Sequence, residues 1–443
     1  FEARGWTPRA HQLALIEHLA QGESTLLIAP TGAGKTLAGF LPSLVELSGM
    51  TKRNAGTARG NRSQGVHTLY ISPLKALAVD IARNLEAPIA EMELPVRIET
   101  RTGDTPTHKR QRQKLMPPDI LLTTPEQSAL LLSDPGGIAM LADVRTVILD
   151  ELHALVTSKR GDLLALGLAR LRMLSPGVRM VGLSATVAEP DDLRAFLMAQ
   201  TEPDKQRLSE MVSVQGGAAP DITILESAER VPWSGHSARY ALAEIYDLIK
   251  AHGVTLVFVN TRSQAEAVFQ DLWKINEDTL PIALHHGSLD VGQRRKVEAA
   301  MASGQLKAIV ATSSLDMGID WGDVDLVINI GAPKGASRLA QRIGRANHRM
   351  DEPSKAVLIP ANRFEVLECR AALEAALCGG QDTPPLRKGA LDVLAQHVLG
   401  VACAAPFDAD ALFAEVCACE TYRHLDRSTF DRVIAFVATG GYA

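Results

Sequence analysis

The segment that most constrains this chain is APTGAGKT at residues 29–36, which follows a short apolar run and precedes a helix-compatible run. A strand, a glycine-rich turn and a helix in this order form a phosphate-binding loop. Gly32 and Gly34 let the backbone turn tightly, so that its N–H groups and the helix N-terminus face phosphate oxygens. Lys35 is then placed to reach the β- and γ-phosphates, and the Thr36 hydroxyl to bind Mg²⁺. The sequence therefore predicts a site for ATP and magnesium.

Composition bounds the class of protein. The chain has 443 residues, of which 46% are apolar, enough for sizeable cores, and a length that predicts about three domains. The sequence has no apolar run of about 18 residues, so it predicts no membrane span. It also has no leader pattern, so it does not predict secretion. The formal net charge of −5 neither favours nor excludes nucleic acid, because the basic residues lie in local clusters. The chain starts at Phe1, and we expect it to be part of a longer protein.

All five cysteines lie in the last fifth of the chain. Their odd number and their spacing argue against a disulfide framework or a zinc site. Buried, reduced thiols in a cytoplasmic protein are the expectation.

Short apolar runs alternate with helical patterns through residues 10–200 and again after residue 220, which predicts two parallel α/β domains. The polar and then Gly/Ala/Pro-rich residues 201–220 are expected to link them. The predicted strands are Thr25–Ile28, Thr68–Ile71, Ile120–Thr123, Thr146–Leu149 and Met180–Leu183, then Ile222–Leu225, Thr255–Val259, Ile282–His285, Lys307–Ala311, Leu326–Ile330 and Ala356–Ile359.

The pattern changes after residue 380. Three helices are predicted at Leu391–Val401, Ala409–Val416 and Thr429–Val437. They are typical of a winged-helix module without its wing, or of a plain helical appendage. The predicted domains are therefore 1–203, 204–378 and 379–443.

A second chemical signal is the apolar strand that ends at Asp150 and Glu151, with His153 two residues on. An acidic residue at the carboxyl end of such a strand lies beside the phosphate-binding loop. Asp150 is expected to hold magnesium through water, and Glu151 to orient and deprotonate the attacking water. The hydroxyls of Ser184 and Thr186, after the next strand, can hydrogen-bond this cluster.

The second α/β domain contributes QRIGRANH at residues 341–348. If the two domains close on one nucleotide, Arg345 can stabilise the charge that spreads over the γ-phosphoryl group in the transition state. Hydrolysis would then depend on domain closure, which converts chemistry into motion.

Eleven ordered motifs resemble those of superfamily-two DExH-box helicases. Within them the chain is most similar to the large helicase-related (Lhr) proteins, in particular the bacterial ligase-associated DNA-damage-response DEXH-box helicases. The resemblance covers nearly the whole chain and implies two RecA-like parallel-sheet domains in tandem, followed by a partial, winged-helix-like helical domain. The matching segments are GWTP through Gln12, APTGAGKT at 29–36, YISPLKALAVD at 70–80, TRTGDT at 100–105, TTPEQ at 123–127, DELHAL at 150–155, LSAT at 183–186, FVNTRSQAE at 258–266, HHGSLD at 285–290, ATSSLDMGID at 311–320 and QRIGRANH at 341–348.

The resemblance also assigns residues to the nucleotide. It implies that Gln12 reads adenine through its amide, and that Gly318 and Asp320 touch the ribose and phosphates. Gln341 and His348 join Arg345 in the last motif, although many relatives carry arginine where this chain has His348. The implied nucleotide-binding set is Gln12, Thr31, Gly32, Ala33, Gly34, Lys35, Thr36, Gly318 and Asp320.

A nucleic-acid groove across both domains is the third implication. Its residues are mostly small, hydroxyl-bearing or basic, which suits phosphate contacts without base readout. They are Pro73, Lys75, Thr102, Gly103, Thr123, Thr124 and Pro125 in the first domain, and Asn260, Arg262, His286, Gly287, Thr312 and Ser313 in the second.

The family usually moves 3′ to 5′ on DNA. The expectation is therefore a helicase on single-stranded DNA that unwinds DNA or DNA:RNA duplexes in DNA repair, in the bacterial cytoplasm near the nucleoid and without a membrane. An ATP-gated clamp that remodels complexes with little unwinding is the alternative. A DEAD-box RNA helicase is disfavoured, because the acidic motif ends in His153 and not in aspartate.

Overall fold

The computed structural model describes residues 5–30, 32–54, 65–202, 205–214, 216, 218–316, 324–347, 352–382 and 384–440. Two fully parallel sheets organise this part of the chain. The strands are β1 Thr25–Ile28, β2 Thr68–Ile71, β3 Ile98–Arg101, β4 Ile120–Thr123, β5 Thr146–Leu149, β6 Arg179–Ser184, β7 Glu210–Ser213, β8 Asp221–Ile224, β9 Thr255–Phe258, β10 Ile282–His285, β11 Ala308–Ala311, β12 Leu326–Ile330 and β13 Lys355–Ile359.

Helices cover both faces of each sheet, as parallel strands require. Their bounds are α1 Ala10–Ala20, α2 Lys35–Asn54, α3 Lys75–Glu91, α4 Thr107–Leu115, α5 Pro125–Leu132, α6 Pro135–Leu141, α7 Leu152–Val156, α8 Lys159–Leu174, α9 Pro190–Phe196, α10 Leu242–Ala251, α11 Arg262–Lys274, α12 Val291–Ala302, α13 Ala336–Ile343, α14 Arg363–Leu377, α15 Leu391–Ala404, α16 Ala409–Cys417 and α17 Arg427–Thr439.

The first sheet, with its helices, forms what we call lobe 1, and its strand order is β3-β4-β2-β5-β6-β1-β7. In this order β6 lies between β1 and β5, with Ile28 opposite Ser184 and Leu149 opposite Gly182. The phosphate-binding loop, Ser184 and Asp150 therefore leave the sheet at the same edge. This register places the predicted catalytic groups side by side.

Two strands of lobe 1 were not predicted. Strand β3 is half-buried and polar, IETR, so it lacks the apolar run that marked its neighbours. Strand β7, EMVS, lies within the predicted linker, yet it pairs with β1 along its whole length. Residues beyond 203 thus add a seventh strand to the first sheet.

The second sheet, which organises lobe 2, has the order β10-β11-β9-β12-β13-β8, again parallel throughout. Its central strands, β9, β11 and β12, are fully buried. The six strands predicted for this domain are all present, with ends that differ by at most one residue from the predicted ones.

The C-terminal helices α15–α17 pack on lobe 1 and share its hydrophobic core, where Leu394, Val398 and Phe430 lie in one cluster with Leu164 and Leu168. Polar contacts reinforce this packing. The fully buried carboxylate of Asp162 accepts the Ala390 N–H at 3.1 Å, and Arg170 pairs with Glu415 at 3.0 Å. Lobe 1 and the helices α15–α17 therefore form one packed unit.

The cysteine prediction was wrong for part of the set. Cys369 and Cys419 are buried, but Cys378, which follows the last residue of α14, and Cys403, on the outer side of α15, are exposed. All five are free thiols.

Glu46 fixes the helix that follows the phosphate-binding loop. Its carboxylate accepts two hydrogen bonds from Arg179, at 2.6 and 2.9 Å, and lies 3.1 Å from His67 Nε2. Burial opposes ionisation, but hydrogen bonds from His67 and Arg179 prevail and lower the pKa of Glu46 to about 2. The contact ties α2 to β6 and to the start of β2.

Replacing Glu46 by Gln is expected to lower the free energy of unfolding by about 2–3 kcal/mol, because charged hydrogen bonds are lost. Since the folded-state pKa lies below the usual 4.5, the wild-type contribution is present above pH 4.5 and fades as pH falls towards 2. Urea unfolding at pH 7 and at pH 3 measures both effects. The exposed Glu17→Gln is the control, and equal stabilities for the two variants would contradict the assignment.

Candidate nucleotide site and nucleic-acid face

The phosphate-binding loop has the backbone that its glycines predict. Gly32 and Gly34 adopt φ values of 75° and 74°, in the left-handed region that glycine enters without strain. The helix α2 begins at Lys35, so its first N–H groups point back into the loop. Thr36, the second residue of α2, is half-buried at the same place. The loop thus forms a cradle of donors for an anion.

Lys35 lies across the mouth of this cradle. Its ammonium donates to the carbonyls of Ala29 at 2.8 Å and Pro30 at 3.0 Å. Burial lowers the pKa of Lys35, whereas the negative charges of Glu151 and Asp150 oppose that shift and the positive charge of Arg345 adds to it. The pKa of Lys35 therefore depends on two carboxylates of lobe 1 and on an arginine of lobe 2.

Asp150 is anchored by a tyrosine that the sequence analysis did not single out. Tyr70, fully buried at the end of β2 and stacked on Phe40, donates its hydroxyl to Asp150 Oδ2 at 2.5 Å. Asp150 Oδ1 accepts the Glu151 N–H at 2.9 Å. Burial and the adjacent charge of Glu151 raise the pKa of Asp150 to about 6. The one available signal was position, because Tyr70 opens the motif YISPLKALAVD.

The carboxylate pair fits a divalent cation. Two adjacent buried carboxyls raise each other's cost of ionisation, and a bound cation removes that cost. Thr36 and Asp150 are the protein groups that would hold it. Among the described residues there is no group of three His, Cys, Asp or Glu side chains that could hold a metal ion alone. Magnesium here would need phosphate oxygens as further ligands, as is usual for this ion.

Glu151 adopts φ 48° and ψ 44°, a conformation that costs a non-glycine residue free energy and is typical of functional sites. Burial raises the pKa of Glu151, but the electrostatic influence of His153, Lys35 and Arg345 outweighs burial and lowers it. It is therefore a carboxylate at neutral pH, as a base for water must be.

His153 links the two lobes. Its Nδ1 lies 3.1 Å from Ser184 Oγ, and its Nε2 lies 2.8 Å from the side-chain nitrogen of Gln341 in lobe 2. Burial lowers the pKa of His153, so the ring is neutral at pH 7 and accepts from Gln341 at Nε2. A hydrogen bond thus joins the acidic motif to the last motif across the interdomain cleft.

Arg345 is buried in lobe 2, close enough to lobe 1 for its charge to act there. The residue is 5% exposed, and one guanidinium nitrogen donates to the Asp316 carbonyl at 3.2 Å. Its positive charge acts on both Lys35 and Glu151. The structure thus brings together Lys35, Asp150, Glu151, Gln341 and Arg345.

Arg342, in the helix α13, has a structural role. It is 1% exposed, donates to Asp316 Oδ1 at 2.8 Å and to Asn329 Oδ1, and lies over the Phe258 ring with its guanidinium carbon 4.7 Å from the centroid. This buried contact orients α13, which carries Gln341 and leads to Arg345. The sequence analysis named Arg342 only within a basic cluster.

The segment around α1 lies against the phosphate-binding loop. Gln12 is buried, its Oε1 accepts the Arg9 N–H at 2.9 Å, and its Nε2 lies 3.4 Å from where a Cβ of Gly34 would be. His11 Nε2 lies 3.0 Å from the Ala33 carbonyl, a contact that sequence reasoning missed. Gln12 is thus beside the loop, where an adenine contact remains a prediction.

In lobe 1 the predicted nucleic-acid residues follow the carboxyl ends of β2, β3 and β4. Lys75 is 53% exposed and pairs with Asp104 at 3.0 Å, next to Gly103. Thr123 is fully buried and donates its hydroxyl to the Arg101 carbonyl at 2.8 Å, so that side chain is engaged inside the protein. Thr102, Thr124, Pro125 and Pro73 are also buried, so of the predicted residues in this lobe Lys75 and Gly103 are the exposed ones.

In lobe 2 the corresponding residues follow β9, β10 and β11. Arg262, Gly287 and Ser313 are exposed, whereas His286 and Thr312 are buried. Asn260 donates its side-chain N–H to the Ala332 carbonyl at 2.9 Å. The predicted residues of both lobes thus lie at the carboxyl edges of their sheets. Thr31, Gly318, Asp320 and His348 lie outside the described residues.

Replacing Arg342 by Met is expected to destabilise lobe 2 by about 3–5 kcal/mol, because the buried charge of Asp316 loses its closer partner and keeps only Arg338, at 3.5 Å. The double change R342M/D316N should recover part of that loss. Urea unfolding followed by circular dichroism measures both. The exposed Arg370→Met, in the same lobe, is the control, and a wild-type midpoint for R342M would contradict the structural assignment.

Within the described residues, no helix combines the length and the apolar character needed to cross a bilayer.

Three family profiles match this chain. DEAD/DEAH box helicase matches residues 9–193, helicase conserved C-terminal domain matches 240–350, and large helicase-related protein, winged helix domain matches 381–443. The last match agrees with the winged-helix interpretation of the three C-terminal helices.

Individual relatives agree with these profiles. The chain is 37% identical to the Lhr helicase/probable uracil glycosylase of Mycolicibacterium smegmatis over 94% of this chain and 30% of that protein. It is 36% identical to the ATP-dependent helicase Lhr-Core of Methanothermobacter thermautotrophicus, over 97% of this chain and 50% of that protein. The chain therefore spans half or less of the length of these relatives.

A solved structure shares the whole arrangement. The Mycobacterium smegmatis helicase Lhr bound to ssDNA and AMP-PNP superposes with a TM-score of 0.84 at 36% identity, covering 97% of this chain and 56% of that one. This likeness confirms the predicted tandem RecA-like domains followed by a helical domain. By motifs, profiles and fold, the chain belongs to the large helicase-related (Lhr) family of superfamily-two helicases.

Proposed function

We propose that this chain is the ATP-hydrolysing core of a helicase that moves 3′ to 5′ along single-stranded DNA and unwinds DNA or DNA:RNA duplexes. The observation that carries the proposal is the contact of lobe 2 with the acidic motif of lobe 1, where the Gln341 side chain lies 2.8 Å from His153 Nε2, with Arg345 close enough to shift the pKa values of both Lys35 and Glu151. A site assembled from two lobes makes hydrolysis depend on their closure.

The residues divide the chemistry among them. Lys35 and the loop N–H groups bind the β- and γ-phosphates of ATP, and Glu151 takes a proton from the attacking water. Arg345 stabilises the charge that develops on the γ-phosphoryl group. Magnesium, held by Thr36 and Asp150, would neutralise phosphate charge.

The contact between His153 and Gln341 is a second connection between the two lobes that depends on their closure. Because Gln341 belongs to lobe 2 and His153 to the acidic motif, a change in the gap between the lobes moves a neighbour of Glu151. The same gap separates the predicted nucleic-acid edges of the two lobes. Strand binding can therefore promote hydrolysis, and hydrolysis can shift the grip on the strand.

DNA as the substrate is supported by the ssDNA in the Mycobacterium smegmatis Lhr structure. A role in DNA repair, the ligase-associated type and a location at the bacterial nucleoid follow from the motif resemblance. An ATP-gated clamp uses the same residues and is the second candidate. Duplex displacement separates the two, because a clamp hydrolyses ATP without displacing a strand.

Lys35→Ala is expected to abolish nucleotide binding, and Glu151→Gln to preserve binding while slowing hydrolysis about 10²–10⁴-fold. Arg345→Ala should slow hydrolysis by about 10³–10⁵-fold. Fluorescent-nucleotide titration and phosphate release with single-stranded DNA measure the two steps. Lys250→Ala, an exposed change in lobe 2, is the control. Strand-stimulated phosphate release that survives in E151Q or K35A would remove the mechanism.

Displacement assays test strand choice and direction. We expect unwinding of duplexes that carry a 3′ single-stranded DNA tail and little unwinding of those with a 5′ tail. ATP hydrolysis with single-stranded DNA and with single-stranded RNA, at several salt concentrations, then tests the strand. A plot of the logarithm of strand affinity against the logarithm of salt concentration should have a negative slope of about 0.7 for each phosphate contacted. Hydrolysis without displacement on either tail would favour the clamp.

A further inference from the structure

Trp233 lies in the loop between β8 and α10 and is 66% exposed. A tryptophan buries a large apolar area when it finds a partner, so an exposed one on a folded surface is informative. This loop belongs to none of the motifs considered above.

The ring is held in place. The Arg363 guanidinium carbon lies 4.3 Å from the Trp233 centroid, and Phe364 tilts against the same ring at 6.4 Å. Arg363 also donates its Nε–H to the Val231 carbonyl at 3.0 Å and its backbone N–H to the Pro232 carbonyl at 2.9 Å. A fixed aromatic ring with a cation nearby is a preorganised surface for a planar group, which loses little entropy on binding.

The loop is joined to the predicted nucleic-acid edge of lobe 2. Gln264 donates its side-chain N–H to the His236 carbonyl and accepts the Asn260 N–H at 2.9 Å. Asn362, the residue before Arg363, donates to the Gly235 carbonyl at 3.3 Å. The Trp233 loop and Asn260 are therefore joined by hydrogen bonds at the carboxyl edge of the second sheet, and Arg262 begins the helix that carries Gln264.

A cavity of about 380 Å³ opens in this loop, lined by Pro232, His236, Ala238, Tyr240 and Ala361 among others. Its volume lies within the range of sites that hold small organic groups. Trp233 does not line this cavity, so the loop offers an exposed flat ring with a separate recess nearby.

We infer that Trp233, backed by Arg363, is a stacking platform for a base of the single strand that passes Asn260 and Arg262. The inference rests on the proposed helicase function. Stacking on an aromatic ring is sequence-tolerant, because every base has a π face. The strand is favoured over a protein partner, because the platform lies at the same sheet edge as the exposed cation Arg262 and carries a guanidinium beside its ring.

The test combines Trp233→Ala with single-stranded DNA oligonucleotides that each carry one abasic site. Trp233→Ala should weaken binding to the intact strand about tenfold, and Trp233→Phe should restore most of it. The wild type should lose affinity for one abasic position, and W233A should be insensitive to that same position. Fluorescence anisotropy at fixed salt measures each affinity, and the thermal unfolding midpoint checks that every variant folds.

Trp273 supplies a matched control. It is also exposed in lobe 2, but lies at the far end of α11 from Arg262, about 17 Å along the helix axis. Trp273→Ala should bind every strand as the wild type does.

Two results would overturn the inference. One is wild-type affinity of W233A for the intact strand, with or without a change in oligomeric state. The other is a loss of affinity for abasic strands that is as large in W233A as in the wild type at every position. Arg262→Ala separates this failure from a failure of the proposed function. If R262A loses strand affinity and W233A does not, the platform alone is wrong, whereas wild-type affinity in both would contradict strand binding at this edge.

Discussion

The structure depends on the placement of opposite charges from two lobes in one cleft. Asp150 and Glu151 are neighbouring carboxylates whose burial makes joint ionisation costly, and Lys35 and Arg345 are the cations that offset that cost. Each cation comes from a different sheet. Since neither lobe can complete the set alone, the free energy of the charged cluster varies with the gap between the lobes, which is the property that a nucleotide-driven machine requires.

Parallel sheets explain why this cluster forms. Every strand in both sheets ends at one edge, so loops far apart in the chain share a surface, and the P-loop meets the acidic motif 115 residues later. The C-terminal helices add a mechanical asymmetry. They pack into the core of lobe 1, with Asp162 and Glu415 inside the contact, so lobe 1 carries them as one unit while lobe 2 contributes Arg345 and Gln341.

The candidate site was largely predictable where chemistry needs a fixed residue type in a fixed local context. The loop glycines, Lys35 and the Asp150–Glu151 pair were found in this way. Tyr70 and Arg342 were missed as structural partners, because each acts through a residue distant in sequence, and no local pattern records such a contact. Thr123 is the converse case: its residue type suits nucleic-acid binding, but its hydroxyl donates to the Arg101 carbonyl inside the protein.

The sequence by itself determined the alternation of strands and helices, the phosphate-binding loop and the order of the motifs, because these depend on local periodicity and on residues adjacent in the chain. Only the tertiary structure decided that polar β3 and β7 join the first sheet, since pairing along a neighbouring strand outweighed their weak local pattern. It alone decided that the C-terminal helices lie on lobe 1 and that His153 meets Gln341. Those outcomes arise from burial and contact between distant segments, which a linear pattern does not contain.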